Sequence, residues 1–595
     1  MSLDQTPINQ LITDNIDTWT STVKTKATTG RGSSKKLELY GVKKLRELIL
    51  ELAVRGKLVP QDPSDEPASV LLERIAEEKA QLVNKKKLKK QKELPAISDD
   101  ELPYSIPKNW VWCRLDDICL GITSGSTPPK SNFNESEGIP YLKVYNIRDQ
   151  KVDFDYKPQF VDLECHATKL KRSSLYPGDV IMNIVGPPLG KVAIIPNDYL
   201  EWNCNQAITF FRPIEPSLNT YIYTYLRAGT FLRSIDLIGT AGQDNISVTK
   251  SRSILLPTPP LEEQHRIVAK VDELMTLCDQ LEQQTEASLE AHQVLVTTLL
   301  DTLTNSANAE ELMQNWQLVA EHFDTLLTTE ESIDQLKQTI LQLAVMGKLV
   351  PQDPNDEPAA KLLERIAEEK AQLVKEKKIK KQKALPPIAD DEKPFELPNG
   401  WSYVRLDDLC STVSSGSTPP KTELNETDGI PFLKVYNIQN QEIEFDERTL
   451  FVSENTHNGK LKRSILYPGD VVMNLVGPPL GKVAIMPNTY QEWNCNQNIV
   501  CFRPLEIRCN SYIYTYLKAH IFLDYISLVG SAGQDFISGT KCRSIVVPVP
   551  PLGEQERLVE KVEVLLDLCT KLKQRLVESR KVQLNLTNAI VEQAV

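Results

Sequence analysis

The sequence predicts an α+β protein: two tandem-duplicated α/β domains separated by long antiparallel coiled-coil helices, with pseudo-twofold symmetry. Three observations predict it. The first is a repeat. LAVRGKLVPQDP at 52–63 returns as LAVMGKLVPQDP at 343–354, and a fixed period sets the architecture before any local feature does. Gly347 minus Gly56, Trp401 minus Trp110 and Gln534 minus Gln243 each give 291, as does Pro551 minus Pro260. A constant offset over so long a run means two copies of one large unit. The second observation is the mixture inside each copy. Short β-like runs (IPYLKVYNI, DVIMNIV, KVAIIP, AITFFRP, SILLPTP) alternate with helical stretches such as TYIYTYLRAGTFLRSI, which suits a mixed or antiparallel sheet. The third is an apolar seam on an alternating 4/3 spacing. It runs through Ile267, Val271, Leu274, Cys278 and Leu281, less cleanly to Leu295 and Leu299, and again through Leu558, Val562, Leu565, Cys569, Leu572, Leu576, Leu586 and Ile590. That is a coiled-coil pattern, and about 35 helical residues span roughly 50 Å. Two equivalent units across a pseudo-twofold axis suit a two-fold partner, of which duplex DNA is the commonest.

Composition bounds the class. With 595 residues, 41% hydrophobic and 25% charged, the chain reads as an ordinary globular protein with room for several domains. A net charge of −12 argues mildly against a nucleic-acid binder acting alone, although net charge does not locate the basic groups. The 11 cysteines form no CxxC pair and the 6 histidines do not cluster with them, so no metal site is predicted. Free cysteines, a start without a signal-peptide pattern and the lack of an 18-residue apolar run predict a cytoplasmic protein without a membrane partner.

Taken in order, residues 1–41 read as a polar, mobile N-terminal arm with one short helix, and 42–106 as a helical region. There Val42, Leu45, Leu48, Ile49 and Leu52 recur at helical spacing and stop at Gly56, a C-terminal cap. LLERIAEEKAQLV follows, then a basic tail, NKKKLKKQK. That tail reads first as a solvated helix end and second as a phosphate-tracking strip. A proline-rich joint leads into a globular domain at 107–257, a long helix at 258–304 and a linker at 305–330. The plan then repeats. A helical region spans 331–397, with Leu336, Ile340, Leu343 and Ala344 stopping at Gly347 and with the basic tail KEKKIKKQK. A globular domain at 398–548 and a long helix at 549–595 complete it.

Nothing in the chain matches a catalytic motif. GPPLGKV, at 186–192 and 477–483, is not a phosphate loop. It has three residues between its glycines, two of them prolines without N–H donors, and Val192 or Val483 follows the lysine. It reads as a turn between strands that exposes Lys191 and Lys482. No amino-methyltransferase motif, nuclease carboxylate cluster, helicase motif or Ser-His-Asp pattern is present. The chain is therefore predicted not to be an enzyme, and no cofactor or metal is expected on it.

What remains is polar, loop-like and duplicated. SGSTPPK carries Ser124, Ser126, Thr127 and Lys130, matched by Ser415, Ser417, Thr418 and Lys421. LKVYNI offers Lys143, Tyr145 and Asn146, matched by Lys434, Tyr436 and Asn437. KLKRS gives Lys171 and Arg172 beside Lys169, matched by Lys462 and Arg463 beside Lys460. EWNCNQ carries Asn203, Asn205 and Gln206, matched by Asn494, Asn496 and Gln497. AGQDNIS supplies Gln243, Asp244 and Asn245, and AGQDFIS supplies Gln534, Asp535 and Phe536. Asn and Gln read adenine bidentately, Arg and Lys read guanine, and Asp accepts from cytosine, while Ser, Thr and Lys suit phosphates. Each motif alone is weak, because Asn and Gln in loops are turn formers more often than base readers. Trp202 and Trp493 read as core.

In combination the elements resemble a known family. The helix ending in LAVRGKLVPQDP, the PPLEEQHRIV that opens the long helix (PPLGEQERLV in the second copy) and the tandem layout are similar to the DNA-specificity subunit of type I restriction-modification enzymes, over roughly residues 42–595. The resemblance implies that each globular piece is a target-recognition domain reading one half of a bipartite site on double-stranded DNA. It implies that the helical regions set the unread spacer and dock two methyltransferase (modification) subunits, which modify adenine with S-adenosylmethionine. Restriction (motor-nuclease) subunits, with ATP and Mg, would join them. The specificity subunit itself would be non-catalytic, and its partners would share in clamping DNA, which answers the acidic net charge. The two domains match at roughly half or more of their positions, whereas such domains often differ strongly. Similar, inverted half-sites are therefore expected. The differences Arg148 against Gln439, Ala207 against Asn498 and Asn245 against Phe536 should read the bases that differ. Two other readings stay open: a duplicated coiled-coil scaffold that binds proteins without DNA specificity, and a self-contained DNA-modifying enzyme. Salt-sensitive, sequence-specific DNA binding separates the first of these, and cofactor binding by the isolated chain the second.

Overall fold

The structure is a computed structural model that describes residues 7–26, 36–89, 92–235, 238–240, 243–307, 309–526, 528 and 536–595. The chain forms two units. One holds Ser34–Ala287 with the N-terminal residues and Arg580–Val595, and the other holds Ser288–Ser579. Each of the two long helices is therefore shared, its first turns belonging to one unit and its last turns to the other.

In the first unit, α1 (Tyr40–Val54) buries Val42, Leu45, Leu48, Ile49 and Leu52, the stripe its spacing predicts. The helix stops at Arg55, and Gly56 follows with φ +70°, a left-handed conformation that glycine adopts without strain. A Cβ on Gly56 would also lie 2.5 Å from Pro107 Cγ. α2 (Ala68–Asn84) follows. Where composition suggested a polar arm with one short helix, the described residues 7–26 carry two. Two short helices, Ile8–Asp14 and Ile16–Ser21, bury Ile8, Ile12 and Trp19. α1 packs so closely on them that a Cβ at Gly41 would meet the Trp19 carbonyl oxygen at 2.2 Å.

Among the described residues, the globular part carries two four-stranded sheets besides three two-stranded ribbons. In the first, β1 (Cys119–Ser124), β3 (Val180–Asn183), β4 (Val192–Ile194) and β6 (Ile208–Pro213) run in the order β4-β3-β6-β1, every neighbour antiparallel. In the second, β2 (Ile139–Leu142) pairs in parallel with β5 (Asn203–Cys204). Leu142, Ile181, Phe210 and Trp202 share a core between them, and α3 (Asn219–Ala228) covers β3 and β4. The GPPLGK stretch is the β3–β4 turn, as expected, but Lys191 is half-buried rather than exposed.

α4 (Leu261–Asn305) begins at a joint that ties the two signature motifs together. Glu263 is buried and accepts from Trp110 Nε1 at 3.0 Å and Gln61 Nε2 at 2.6 Å, while Arg266 pairs with Asp65 at 2.6 Å. Burial pushes the Glu263 carboxyl above its usual range. The second unit repeats the joint: Trp401 Nε1 donates to Glu554 at 3.0 Å and Arg557 pairs with Asp356 at 2.6 Å.

The second unit then follows the same plan. α5 (Ala309–Glu321) and a short turn of helix at Phe323–Leu326 occupy the stretch read as a linker. α6 (Glu330–Val345) and α7 (Ala359–Lys375) come next. β7 (Cys410–Ser415), β9 (Val471–Asn474), β10 (Val483–Ile485) and β12 (Ile499–Pro504) form the order β7-β12-β9-β10, and β8 (Ile430–Leu433) pairs in parallel with β11 (Trp493–Cys495). α8 (Asn510–Lys518) and α9 (Leu552–Ala594) complete it. α6 orients its neighbours. Gln335 of α6 and Lys348, just past its end, bond Thr297 and Thr304 of α4 at 3.2 and 2.8 Å, whereas Asp334 and Lys337 meet Lys573 and Thr570 of α9 at 2.6 and 3.0 Å. Numbering rises together along α6 and α4 and oppositely along α9, so within this unit the end of α4 and the start of α9 are antiparallel.

The seam holds and then slips. Ile267, Val271, Leu274, Cys278 and Leu281 are buried as expected, but Leu295 is 51% exposed while Val296, Leu300 and Leu303 are buried. In α9 Leu586 is 49% exposed and Thr587 is buried. Val296 lies 15 residues after Leu281 (296 − 281), one more than two heptads. The longer spacing shifts the buried face around the helix, whose last part belongs to a different unit from its first part. A single seam cannot serve both surroundings.

Replacing Trp110 by Phe keeps the ring and removes the donor to Glu263. The urea midpoint should fall by an amount equivalent to about 1–3 kcal/mol, the cost of leaving a buried acceptor short of a partner. A loss under about 0.5 kcal/mol, as for an ordinary surface change, would show that the joint is not held by this bond.

Candidate nucleic-acid interface

In the first domain five of the candidate loops leave one end of the paired sheets. β1 ends at Ser124, β3 at Asn183, and β4 and β6 begin at Val192 and Ile208. Antiparallel register (Thr209 opposite Ser124, Asn183 opposite Ile208, Met182 opposite Val192) puts these ends side by side. β2 and β5, being parallel, end together there, and Asn205 N donates to Leu142 O at 3.0 Å.

Side chains join the loops. Arg172 bonds Ser126 Oγ from Nε at 3.4 Å and Nη2 at 3.3 Å, Thr127 donates to Gln206, and Tyr141 OH bonds Ser126 O at 2.7 Å. Gly125 allows this convergence, because a Cβ there would sit 2.1 Å from Cys204 O and 2.3 Å from Asn205 O. Beyond Gln206, Ile184 N bonds Ala207 O at 2.9 Å and Ile246 N bonds Ile184 O at 2.9 Å. Val185 also bridges Asn245, and Gly186 N reaches Asp244 O at 3.3 Å. Arg172, Ser126, Thr127, Gln206, Ala207, Asn245 and Asp244 thus form one continuous rim.

The second domain repeats it. Arg463 Nε bonds Ser417 Oγ at 3.1 Å, Thr418 donates to Gln497, Asn496 N donates to Leu433 O at 3.0 Å, and Leu475 N bonds Asn498 O at 2.8 Å. Val476 bridges Phe536, which is 37% exposed. Gln243 belongs to the strand Gln243–Asn245, while Gln534 and Asp535 lie outside the described residues. Lys130, Lys171, Arg172, Lys421, Lys462 and Arg463 are exposed; Ser124, Lys143, Tyr145, Ser415, Lys434, Tyr436, Lys191 and Lys482 are half-buried.

Some candidates do not face outward. Asn146 and Asn437 are buried inside their turns. Asn146 Oδ1 accepts from Lys143 N at 2.9 Å and its Nδ2 donates to Asp153 O and Tyr156 O at 3.2 and 2.8 Å; Asn437 does the same with Lys434, Glu444 and Arg448. They shape the turn that presents Lys143 and Tyr145. Asn203 and Asn494 are also buried, donating to His166 Nδ1 at 3.1 Å and His457 Nδ1 at 3.0 Å. Trp202 and Trp493 are core, as expected. The buried amide oxygens of Asn205, Asn496 and Asn245 are among those without a hydrogen-bond partner in the described residues, an uncommon state.

Other groups at the rim were not singled out from sequence. Tyr156 and Lys157 stand beside Tyr145, and Arg448 beside Tyr436. The alternation of aromatic and basic residues in YNIRDQKVDFDYK was the available signal. A groove also runs from Arg172 along Gly121–Thr123 to Lys87 and Leu88, just past α2. The basic tail is pinned to the domain farther on, where Arg252 bonds Lys92 O at 3.1 Å and Asp116 at 2.8 Å.

Gly125→Ala should loosen the first rim alone. Hydrogen exchange should speed up at residues 126–130 and 203–206 and stay unchanged at 417–421 and 494–497. Equal protection in both domains would mean that the close approach is not required.

A sequence profile described as the type I restriction modification DNA specificity domain matches residues 107–291 and 398–579. The chain is 41% identical over 601 residues to the type I restriction enzyme EcoAI specificity subunit from Escherichia coli, covering 99% of this chain and 100% of that one. It is 40% identical over 609 residues to the EcoEI specificity subunit from the same species, with the same coverage. The solved HsdS subunit from Thermoanaerobacter tengcongensis is similar at 21% identity and a TM-score of 0.39, over 83% of this chain and 98% of that one. With two matched domains and full-length relatives, the chain belongs to the specificity subunits of type I restriction enzymes.

Proposed function

We propose that the chain is the non-catalytic, sequence-specific DNA-binding subunit of a type I restriction-modification assembly. Each domain reads one half of a bipartite duplex site with the loop rim at the end of its sheets. The observation that supports this most directly is the convergence of five polar loops, distant in sequence, on one sheet end in both copies. The rim offers what groove recognition requires: amides and a carboxylate to read base edges (Asn205, Gln206, Asp244, Asn245) and hydroxyls and cations to hold phosphates (Ser126, Thr127, Lys130, Lys171, Arg172). The groove from Arg172 to Lys87 extends the cationic path, so the lysine tail reads as a backbone-tracking strip. Burial of Asn146 and Asn437 removes them from the base-reading set.

The two rims share most of these groups, which supports similar, inverted half-sites. The long helices set the unread spacer. Together with the helical regions they dock two methyltransferase subunits, which carry S-adenosylmethionine, and restriction subunits, which carry ATP and Mg, join that assembly. On this reading the chain works in the cytoplasm and supplies recognition while its partners supply chemistry.

Selection from random duplex DNA by the chain with its methyltransferase subunit should return two short, near-inverted motifs at one fixed spacing. Two unrelated motifs would remove the half-site similarity, and no enrichment at low salt would leave a protein-binding scaffold as the better reading. Separately, replacing Lys171 or Arg172 should weaken binding on all sequences alike and lower the slope of log affinity against log salt by about 1 for each phosphate that is no longer neutralised. A changed base preference would instead place these cations among the readers.

A further inference from the structure

Both domains leave the turn at Lys143 or Lys434 through the same hairpin. Ile147 pairs with Val152 and Arg148 with Lys151; Ile438 pairs with Ile443 and Gln439 with Glu442. The tips match too, with φ +48° and +60° at Asp149 and Gln150 and +50° and +64° at Asn440 and Gln441. So do the anchors. Gln150 Oε1 accepts from Val192 N at 2.8 Å and Gln441 Oε1 from Val483 N at 2.7 Å, latching each tip beside the GPPLGK turn. The hairpin therefore closes the rim between two of its loops, and its backbone is indifferent to which copy's side chains it carries.

Those side chains differ in kind. In the first domain the Arg148 guanidinium lies 4.3 Å from the centre of the Tyr156 ring, with Nε 3.1 Å from Asp153, and the side chain is 47% exposed. Tyr156 meets Tyr145 edge to face at 6.1 Å, and Lys157 stands 5.2 Å over the Tyr156 ring. In the second domain Gln439 takes the arginine's position, Glu442 that of Lys151 and Glu447 that of Tyr156. A guanidinium stacked on a ring and braced at Nε has a restrained plane while much of it remains open to a ligand. A planar fork so restrained suits bidentate contact with the O6 and N7 of guanine, and a glutamine amide suits the N6 and N7 of adenine.

We propose that Arg148 reads a guanine in the half-site contacted by the first domain, and that Gln439 reads an adenine at the corresponding place in the other, with Tyr156 positioning Arg148. This rests on the DNA-reading function above. The second copy shows that the hairpin tolerates glutamine, so Arg148→Gln tests the contact without disturbing the fold.

Selection from random duplex DNA by the full chain with its methyltransferase subunit, repeated for Arg148→Gln and Gln439→Arg, decides it. Arg148→Gln should lower guanine preference at one position of one motif by about ten-fold or more, with adenine rising there and all other positions unchanged. Gln439→Arg should produce the reverse change in the other motif. Tyr156→Ala should weaken preference at the Arg148 position alone and leave the thermal midpoint unmoved. A uniform loss of affinity on every sequence would make Arg148 a phosphate contact and overturn the proposal, as would unchanged motifs. Absence of any wild-type motif would overturn the DNA-reading function, and this inference with it.

Discussion

Everything in each unit hangs from a buried carboxylate. Glu263 and Glu554 sit in the first turn of a long helix and accept a hydrogen bond from the indole of a globular domain, Trp110 or Trp401. In the first unit Gln61, from the GKLVPQDP loop, bonds the same carboxylate. A charged group is costly to bury unless it is hydrogen-bonded, so this arrangement is favourable only when helix, loop and domain are all in place. Arg266–Asp65 and Arg557–Asp356 add a second tie a turn further on. That makes the joint a rigid mount. A loop rim carried on it has a defined direction relative to its helix, which a flexible linker would not provide.

The mount matters because the loop rim is itself assembled from short pieces. The polar groups are spread over several loops, each distant in sequence from the others. Antiparallel register in one sheet and parallel pairing in the other bring five loop ends to one place. Hydrogen bonds such as Arg172–Ser126 and Arg463–Ser417 then hold them together. Duplication gives the protein two such surfaces on equivalent mounts, and small changes at the rim, Ala207 to Asn498 or Asn245 to Phe536, can alter one surface without touching the scaffold.

The long helices show a different constraint. Each must satisfy two environments in succession, and the 15-residue step at Leu281–Val296 is how one helix does so. A strict heptad would keep a single face buried along its whole length. The step moves the buried face in the last turns of that helix and leaves Leu295 half-exposed.

Much of this was determined by the sequence alone. The 291-residue offset, the helix stripes ending at Gly56 and Gly347, and the two signatures flanking each domain gave the duplication, the order of elements and the family. These are local or periodic properties, and periodicity survives in a linear string. Tertiary structure decided what depends on neighbours distant in the chain. It folded the N-terminal residues around Trp19, whose partner surface lies on α1. It slipped the coiled-coil seam, because burial there is set by a second unit. It also sorted the candidate residues. Asn146 and Asn205 are both asparagines in polar loops, yet the first is consumed inside its own turn while the second keeps an unpartnered amide oxygen. Tyr156, Lys157 and the stacking of Arg148, itself named from the sequence, were hidden for the same reason. A ring and a cation form a platform only when the backbone turns them to face each other, and that distance is not written in their spacing.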